Sequence, residues 1–235
     1  MKTGIIGAMA SEVELLKEAM EGARATKVAG MEFCEGKLGG ADVVVVQSGI
    51  GKVDAGICVQ ILVDRFGVGR VINTGVAGSL DERLDVGDLV VSTDCVMHDF
   101  DVTPLGYAPG QVPGLDTLAF PADAGMRESV CAAAAAVAPD IKVLEGRVVS
   151  GDQFISATEQ KERILATFGG LCCEMEGCAI AQAAYLNGVP FVVVRAISDK
   201  PGAEGQVVDY NTFEKKAARD CARIVARMVA RMVEL

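Results

Sequence analysis

The sequence predicts a single α/β domain, and three features of the chain indicate that fold class. Short apolar runs alternate with longer segments of helical periodicity over all 235 residues. Two of these runs, residues 43–46 and 191–194, are continuously apolar, which is typical of central strands covered by helices on both faces. No internal repeat, change of composition or Ser- and Pro-rich linker divides the chain. We therefore expect one domain, residues 1–235, around a buried and largely parallel sheet.

Six strands are predicted from runs of β-branched and other apolar residues. They cover residues 3–7, 43–48, 70–75, 88–93, 143–150 and 191–197. Six helices are predicted around them: from Ser11, after Gly51, around Ala132, after Ser156, from about Glu174 to Leu186, and from Asn211. The fifth helix is expected to stop where helix-ending residues follow it, at Asn187, Gly188 and Pro190.

The first and last helices carry the clearest local signals. Ser11 and Glu14 have the spacing of a capping box, and the apolar face of the first helix includes Leu15 and Ala19. The last helix places most of its Lys and Arg residues on one side, which is typical of a helix docked on a core. Its apolar face is formed by Ala217, Cys221, Ile224, Val225, Met228 and Met232.

The charge balance and the length of the apolar runs argue against several classes of partner. The chain has 22 Lys and Arg against 32 Asp and Glu, a formal charge of −10. Such a chain lacks the basic field that neutralises phosphates, so no nucleic acid is expected as a partner. The longest apolar run, residues 131–138, is too short to cross a membrane. Glu12 and Glu14 interrupt the apolar start before a signal peptide is complete, so we expect a cytoplasmic protein.

The cysteine and histidine content predicts neither a disulfide scaffold nor a metal site. Eight Cys residues are sparse in a chain of this length, and no two of them have C-x-x-C spacing. The chain has a single His, which argues against a histidine-rich metal centre. We interpret the cysteines as reduced thiols.

Residues 98–123 form the irregular part of the sequence. Four of the seven prolines lie there: Pro104, Pro109, Pro113 and Pro121. A long segment without its own periodicity is usually a lid, a binding loop or an interface element. This segment is therefore a candidate for function.

Candidate site residues follow the predicted strands, because ligands in open α/β sheets bind beyond the carboxyl ends of the strands. Glu12 follows the first strand, Ser198 and Asp199 follow the sixth, and Glu176 lies near the start of the fifth helix. A Gly-rich segment, NTGVAGSL, follows the third strand. We expect the three carboxylates to face one cleft.

Each of these features has a simpler interpretation that the residues alone leave open. The carboxylates are also compatible with first-turn helix charges or turn residues, and the Gly-rich segment with a plain tight turn. GIIGAM and SGIGKV complete neither a dinucleotide-binding fingerprint nor a P-loop, so a dinucleotide or ATP site has little support.

An ordered set of motifs gives the whole chain a family resemblance. The motifs are GIIGAMASEVELL, SGIGKV, NTGVAGSL, VGDLVVS, HDFDVT, GQVPG, VSGDQFI, CEMEG and FVVVRAISD. In order and spacing this set resembles the 5'-methylthioadenosine/S-adenosylhomocysteine nucleosidases of the nucleoside phosphorylase superfamily. The resemblance implies a three-layer αβα domain around a mixed, partly barrel-like sheet, a homodimer, and no metal or organic cofactor. It also implies irreversible hydrolysis of the adenine–ribose bond in methionine salvage.

The resemblance further implies roles for individual residues. Glu12 matches the carboxylate that activates water, and Asp199 matches the acid that protonates the purine. Met175 and Glu176 match the pair that binds ribose, with the methionine against the sugar and the carboxylate on its hydroxyls. Phe154 matches the aromatic residue that packs on adenine. Ile155 matches the residue whose backbone hydrogen-bonds the base. The remaining pocket and support positions are Ala77, Gly78, Arg195 and Ser198.

The proline-rich segment resembles the part of the family's pocket that the neighbouring subunit lends for the 5'-substituent. The matching residues are Val102, Leu105 and Pro113. Two positions depart from the family's pattern: Val76 stands where many relatives have a hydroxyl residue, and Leu105 replaces an aromatic. We expect activity to survive both departures, because the backbone donors and the three carboxylates are retained.

Hydrolysis is favoured over phosphorolysis because the first loop, AMASEVE, contains Glu12 and no Arg. A carboxylate repels phosphate but can activate water, whereas phosphorylases need cationic and backbone donors for phosphate. The expected substrates are methylthioadenosine and S-adenosylhomocysteine, with 5'-deoxyadenosine as a further one. The alternatives are a 6-amino-6-deoxyfutalosine hydrolase, a purine nucleoside phosphorylase and a non-catalytic nucleoside-binding protein.

Overall fold

The computed structural model describes residues 1–234, which form one α/β domain. Within this range the chain forms ten strands and six α-helices. The strands are β1 (Thr3–Gly7), β2 (Glu21–Val28), β3 (Met31–Leu38), β4 (Ala41–Gln47), β5 (Arg70–Ser79), β6 (Leu89–Met97), β7 (Phe120–Pro121), β8 (Val143–Ser150), β9 (Cys172–Glu174) and β10 (Phe191–Asp199). The helices are α1 (Ala10–Glu18), α2 (Lys52–Phe66), α3 (Ala124–Val137), α4 (Thr158–Phe168), α5 (Gly177–Leu186) and α6 (Gln206–Glu234).

The sheet is mixed and partly closed into a barrel. Its strand order is β10-β6-β8-β9-β5-β1-β4-β3-β2, and β7 pairs with β6. An additional pairing between β10 and β5 closes five strands into a ring, while β1, β4, β3 and β2 extend from it. The mixed, partly barrel-like sheet implied by the family resemblance is therefore confirmed.

The expectation of a largely parallel sheet is wrong. Of the ten strand pairings described within residues 1–234, five are parallel and five antiparallel. The antiparallel pairings include the meander of β2, β3 and β4. Four strands were not predicted from the sequence: β2, β3, β7 and β9. Seven of the eight residues of β2 are exposed, so this edge strand lacks the buried alternation by which strands are recognised.

Helices cover both faces of the sheet and give the predicted three layers. On one face, α2 and α5 pack against the strands through Cys58, Leu62 and Ile180. On the other face, α1, α3 and α6 contribute a second apolar cluster that includes Leu16, Val130 and Val225. The predicted apolar face of α6 is confirmed, because the side chains named for it are buried or half-buried in this cluster.

Three predicted helix starts need correction. The first helix begins at Ala10, and Glu12 rather than Glu14 turns back to accept hydrogen bonds from backbone N–H groups ahead of the helix. Ser11 and Glu14 therefore form no capping box, and Ala19 is exposed at the end of the helix. The fifth helix begins at Gly177, since residues 172–174 form β9. The last helix begins at Gln206, five residues before Asn211.

Several strands are longer than predicted, and this brings residues to the site. β5 continues to Ser79, β6 to Met97 and β10 to Asp199. Residues 98–123 are irregular as expected, with only a short 3-10 turn at Thr103–Leu105 and the two residues of β7. Within residues 1–234, no helix is both long enough and apolar enough to span a membrane.

Candidate active site

A cavity of about 90 Å³ lies where β1, β5, β9 and β10 end. The cavity is lined by the last residues of β5, β9 and β10, by the segment that follows β1, and by residues of the connecting loops and the start of α6. The residues are Ala8, Met9, Glu12, Ile50, Val76, Ala77, Gly78, Phe154, Cys173, Glu174, Met175, Glu176, Ser198, Asp199 and Tyr210.

Glu12 is held at the inner wall by backbone donors from two segments. Its Oε2 accepts hydrogen bonds from Ala8 N at 2.6 Å and Met9 N at 2.9 Å, and its Oε1 accepts one from Val76 N at 3.0 Å. Burial raises the pKa of Glu12, while Arg195 and the three N–H groups oppose that shift by stabilising the carboxylate. The bond from Val76 uses the backbone, so it does not require a hydroxyl side chain at this position.

Arg195 is a buried cation shared by three carboxylates. It projects from β10, and its Nη2 donates to Glu174 Oε2 and lies 3.5 Å from Glu176 Oε2. Its Nη1 lies 3.9 Å from Glu12 Oε1. Burial works against the charge of Arg195, but the surrounding carboxylates outweigh it and raise the pKa of the guanidinium. Arg195 therefore stays charged and orients the acidic groups from beneath.

Glu176 stands at the entrance to α5 and faces the cavity. Its Oε1 accepts a hydrogen bond from Gly51 N at 2.8 Å, just before the start of α2. Burial and the nearby Glu174 raise the pKa of Glu176 to about 7, against the opposing effects of Arg195 and the Gly51 N–H. Both protonation states of Glu176 are therefore accessible near neutral pH.

Asp199 ends β10 and also lines the cavity. Its Oδ1 accepts a hydrogen bond from Ser198 Oγ at 2.7 Å, and its Oδ2 accepts one from Gln206 Nε2 at 2.7 Å. Burial raises the pKa of Asp199, and the two donors oppose the shift. This is the direction required of a carboxyl group that donates a proton near neutral pH.

Two glycines of β5 allow the close approaches in this site. A Cβ on Gly75 would collide with Arg195 Nη1 and Glu12 Oε1. A Cβ on Gly78 would lie 2.8 Å from Pro201 Cγ and 3.2 Å from Asp199 Oδ2. The Gly-rich segment therefore has a packing role as well as lining the cavity, and it is not a plain tight turn.

The structure brings most of the predicted site residues together. Phe154 lines the cavity and makes an edge-on contact with Tyr210, with 5.6 Å between the ring centroids. Ile155 is buried and is not among the lining residues, and its carbonyl oxygen accepts a hydrogen bond from Gln206. The three residues predicted to serve a partner's pocket lie away from the cavity of their own chain: Val102, Leu105 and Pro113.

Sequence reasoning did not assign roles to several residues of the site. Glu174, expected from the sequence only as the start of the fifth helix, is the closest acidic partner of Arg195. Its spacing of two from Glu176 offered a signal, because alternate residues of an extended segment point the same way. Tyr210 and Gln206 were missed because α6 was expected to begin after them.

The charges of the site are strongly unbalanced. Four carboxyl groups, those of Glu12, Glu174, Glu176 and Asp199, line the cavity, whereas no Lys, Arg or His is among its lining residues in the described chain. Within residues 1–234, no group of three or more His, Cys, Asp or Glu side chains is placed to hold a metal ion. The site therefore favours a ligand or transition state that develops positive charge.

The fold and this acidic cavity define a member of the phosphorylase superfamily, whose family model matches residues 2–230. A 5'-methylthioadenosine/S-adenosylhomocysteine nucleosidase from Treponema pallidum (strain Nichols) is 41% identical, covering 94% of this chain and 90% of the relative. The chain belongs, within the superfamily, to the 5'-methylthioadenosine/S-adenosylhomocysteine nucleosidase family.

Two solved structures have the same fold over nearly the whole chain. The nucleosidase of the same family from Neisseria meningitidis, in complex with methylthio-immucillin-A, has a TM-score of 0.93 at 38% identity, covering 98% of this chain and 99% of that one. A futalosine hydrolase from Helicobacter pylori strain 26695 has a TM-score of 0.91 at 30% identity, covering 100% and 98%.

Proposed function

We propose that this chain hydrolyses the N-glycosidic bond of 5'-methylthioadenosine and S-adenosylhomocysteine and releases adenine. The observation that carries the proposal is the placement of Glu12, Glu176 and Asp199 around one cavity that has no cationic side chain in its lining. Cleavage of a glycosidic bond develops positive charge on the sugar and negative charge on the leaving group. The acidic wall stabilises the positive charge on the sugar, and a protonated carboxyl group neutralises the negative charge on the leaving group.

Asp199 acts as the general acid for the departing base. Its raised pKa favours the neutral form, which can donate a proton to the five-membered ring of the purine. Ser198 holds one oxygen of the carboxyl group and so directs the other. Protonation converts adenine from an anionic into a neutral leaving group.

Glu12 acts as the general base for water. The three backbone donors and Arg195 favour its ionised form, and burial raises its pKa toward the range in which a carboxylate accepts a proton more readily. Glu12 and Asp199 are thus similar groups with different hydrogen-bond environments, and that difference assigns one as base and the other as acid.

Glu176 binds the ribose hydroxyls, with Met175 against the sugar. The Gly51 N–H group donates a hydrogen bond to Glu176 Oε1, and Arg195 lies beside Oε2. The carboxylate held in this way faces the cavity. As positive charge develops on the sugar ring, a nearby carboxylate lowers the energy of the transition state. Phe154 supplies an aromatic surface for the base. Tyr210 and the small residues Ala77 and Gly78 line the remaining sides.

The reaction is hydrolysis and not phosphorolysis. A phosphate co-substrate requires cationic or backbone donors directed into the cavity. The Nη atoms of Arg195 already face Glu12, Glu174 and Glu176. These carboxylates would repel a phosphate anion, whereas water is neutral and is not repelled.

We infer that the working form is a homodimer in which Val102, Leu105 and Pro113 of one subunit border the 5'-substituent in the other. Ile50 lines the cavity and is 59% exposed, and the exposed Val53 and Ile57 follow it on α2. A second subunit over this apolar surface would enclose the 5'-group. Leu105 is 74% exposed and available for such a contact.

The cytoplasm is the compartment that suits this protein. All eight cysteines are free, and seven of them are buried. Free thiols in this number fit a reducing compartment. The proposed cytoplasmic location rests on this observation.

A direct assay tests the proposed reaction. Purified protein is incubated with methylthioadenosine, S-adenosylhomocysteine or 5'-deoxyadenosine, with and without phosphate, and adenine and the sugar product are identified. We expect adenine and a free reducing sugar at a rate that is independent of phosphate. A phosphorylated sugar would indicate a phosphorylase, and binding without adenine release would indicate a nucleoside-binding protein.

A second candidate substrate is 6-amino-6-deoxyfutalosine, which has the same adenine–ribose bond and a different 5'-group. The observation that favours it is the close structural similarity to a futalosine hydrolase. The same assay with 6-amino-6-deoxyfutalosine shows whether it or the thioether nucleosides are preferred, since the ratio of kcat/KM values between substrates measures preference. We expect the thioether nucleosides to be preferred.

A further inference from the structure

Gln206 is the first residue of α6, and its side chain is buried beside Asp199, which lines the cavity. Its Nε2 donates hydrogen bonds to Asp199 Oδ2 at 2.7 Å and to the carbonyl oxygen of Ile155 at 2.8 Å. Its Oε1 accepts a hydrogen bond from Gly202 N at 3.1 Å. Both polar atoms of this amide are therefore bonded.

The proposed function assigns Asp199 to the purine, and the family resemblance implies that the backbone of Ile155 also hydrogen-bonds the base. Both present acceptors to Gln206, and a primary amide has two N–H donors in one plane. The amino edge of adenine is likewise a planar nitrogen with two N–H donors. Gln206 thus offers these acceptors the same donor chemistry as the base would.

We propose that Gln206 is a positioning residue that competes with the amino edge of the purine for Asp199 and Ile155. Binding of the base then requires the Gln206 amide to leave these two acceptors. The inference rests on the proposed function, which supplies the identity of the ligand as an aminopurine. It adds a residue that sets how readily the base enters the cavity.

The surroundings of Gln206 allow such a displacement. The next two residues, Val207 and Val208, are exposed, and the continuous buried face of α6 begins at Ala217. The first turn of the helix is therefore tied to the rest of the protein by few side chains, chiefly Gln206 and Tyr210. Its movement does not require the core to repack.

The hydrogen bonds broken when Gln206 is displaced are matched by new ones. Displacement of Gln206 breaks its bonds to Asp199, Ile155 and Gly202. The purine replaces the first two, and Gly202 is exposed, so that water can bond its N–H group. No buried polar group is left without a partner.

Adenine binding to the purified full chain tests the proposal by calorimetry. The Gln206→Met variant has a side chain of similar length without the amide, and Val208→Ala is the control on the same turn. If the amide competes with the base, Gln206→Met binds adenine about five- to tenfold more tightly than the parent, because one net hydrogen-bond contribution no longer opposes binding. The control is expected to bind as the parent does.

A second variant and a kinetic measurement separate competition from structural support. Gln206→Asn keeps the amide, but its side chain is one methylene shorter and cannot span both acceptors, so adenine affinity should again rise. For methylthioadenosine, KM should fall in both variants without an increase in kcat. Unchanged or weaker adenine binding in both variants would show that Gln206 only supports Asp199, and would overturn the proposal.

The outcomes also distinguish this proposal from the proposed function. If the parent releases adenine from methylthioadenosine and neither variant binds adenine more tightly, the role of Gln206 is wrong and the reaction stands. A parent chain that neither binds nor releases adenine overturns both. Thermal unfolding of each variant confirms that the folded protein is being compared.

Discussion

Arg195 and Glu174 form a buried ion pair at the cavity wall, with side chains that are 1% and 3% exposed. Glu174 also accepts hydrogen bonds from Ser150 Oγ and from Gly177 N. The pair therefore links β8, β10 and the start of α5. It supplies the one positive charge that lies among the carboxylates of the site.

Replacement of Arg195 is expected to destabilise the fold strongly. Arg195→Met leaves Glu12, Glu174 and Glu176 buried without their cation, and loss of one partner of a buried pair lowers the free energy of unfolding by about 3–5 kcal/mol. Urea denaturation measures the change. The matched control is Arg83→Met, which breaks an exposed pair with Asp81 and should leave the unfolding midpoint unchanged. Equal midpoints for the two variants would contradict the role of Arg195.

Glu12→Gln is expected to abolish most of the hydrolysis while leaving adenine binding intact. The amide cannot accept a proton from water, and loss of a general base lowers kcat by roughly 10²–10⁴. The rate of adenine release and the Kd for adenine are measured on the same sample. A variant that retains the parent kcat would remove Glu12 from its proposed role.

Asp199→Asn is expected to slow the reaction in a manner that depends on the leaving group. With methylthioadenosine, kcat should fall by roughly 10²–10⁴ because the base departs without a proton. A methylthioribosyl compound with a 4-nitrophenolate leaving group needs no proton, so its hydrolysis should fall much less. Equal losses on the two substrates would show that Asp199 acts in binding and not as an acid.

Glu176 makes the stability depend on pH in a predictable direction. Its pKa in the folded protein is raised to about 7, from an ordinary value of 4.5. Between these values the folded state binds more protons than the unfolded state, so the free energy of unfolding falls as the pH rises through this window. Glu176→Gln lacks the ionisation, and its stability relative to the parent should rise by roughly 2–3 kcal/mol from pH 4 to pH 8.

Glu145→Gln provides the opposite case for the same experiment. A hydrogen bond from Arg127 lowers the pKa of Glu145, so ionised Glu145 stabilises the fold at neutral pH and that stabilisation is lost as the pH falls. Its stability relative to the parent should therefore decrease as the pH rises. Urea denaturation at both ends of the pH range measures the two differences, and slopes of the same sign would refute the assignment for Glu176.

Part of the site could be predicted because its residues follow strands that local patterns reveal. Glu12 follows β1, and Asp199 ends β10, so the rule that ligands bind beyond strand ends located both. Gln206 could not be found in this way. Residues 206–210 carry no local sign that α6 has begun, and the partners of Gln206 come from β10 and from the loop before α4.

The sequence by itself determined the alternation of strands and helices, the acidic character of the chain and the family to which it belongs. Local periodicity and ordered motifs carry that information, since each depends on residues close together in the chain. Tertiary structure alone decided the closure of the barrel by β5 and β10, the sharing of Arg195 among three carboxylates, and the contact of Gln206 with Ile155. These contacts join distant segments, and their energies arise from burial and distance, which appear only when the chain is folded.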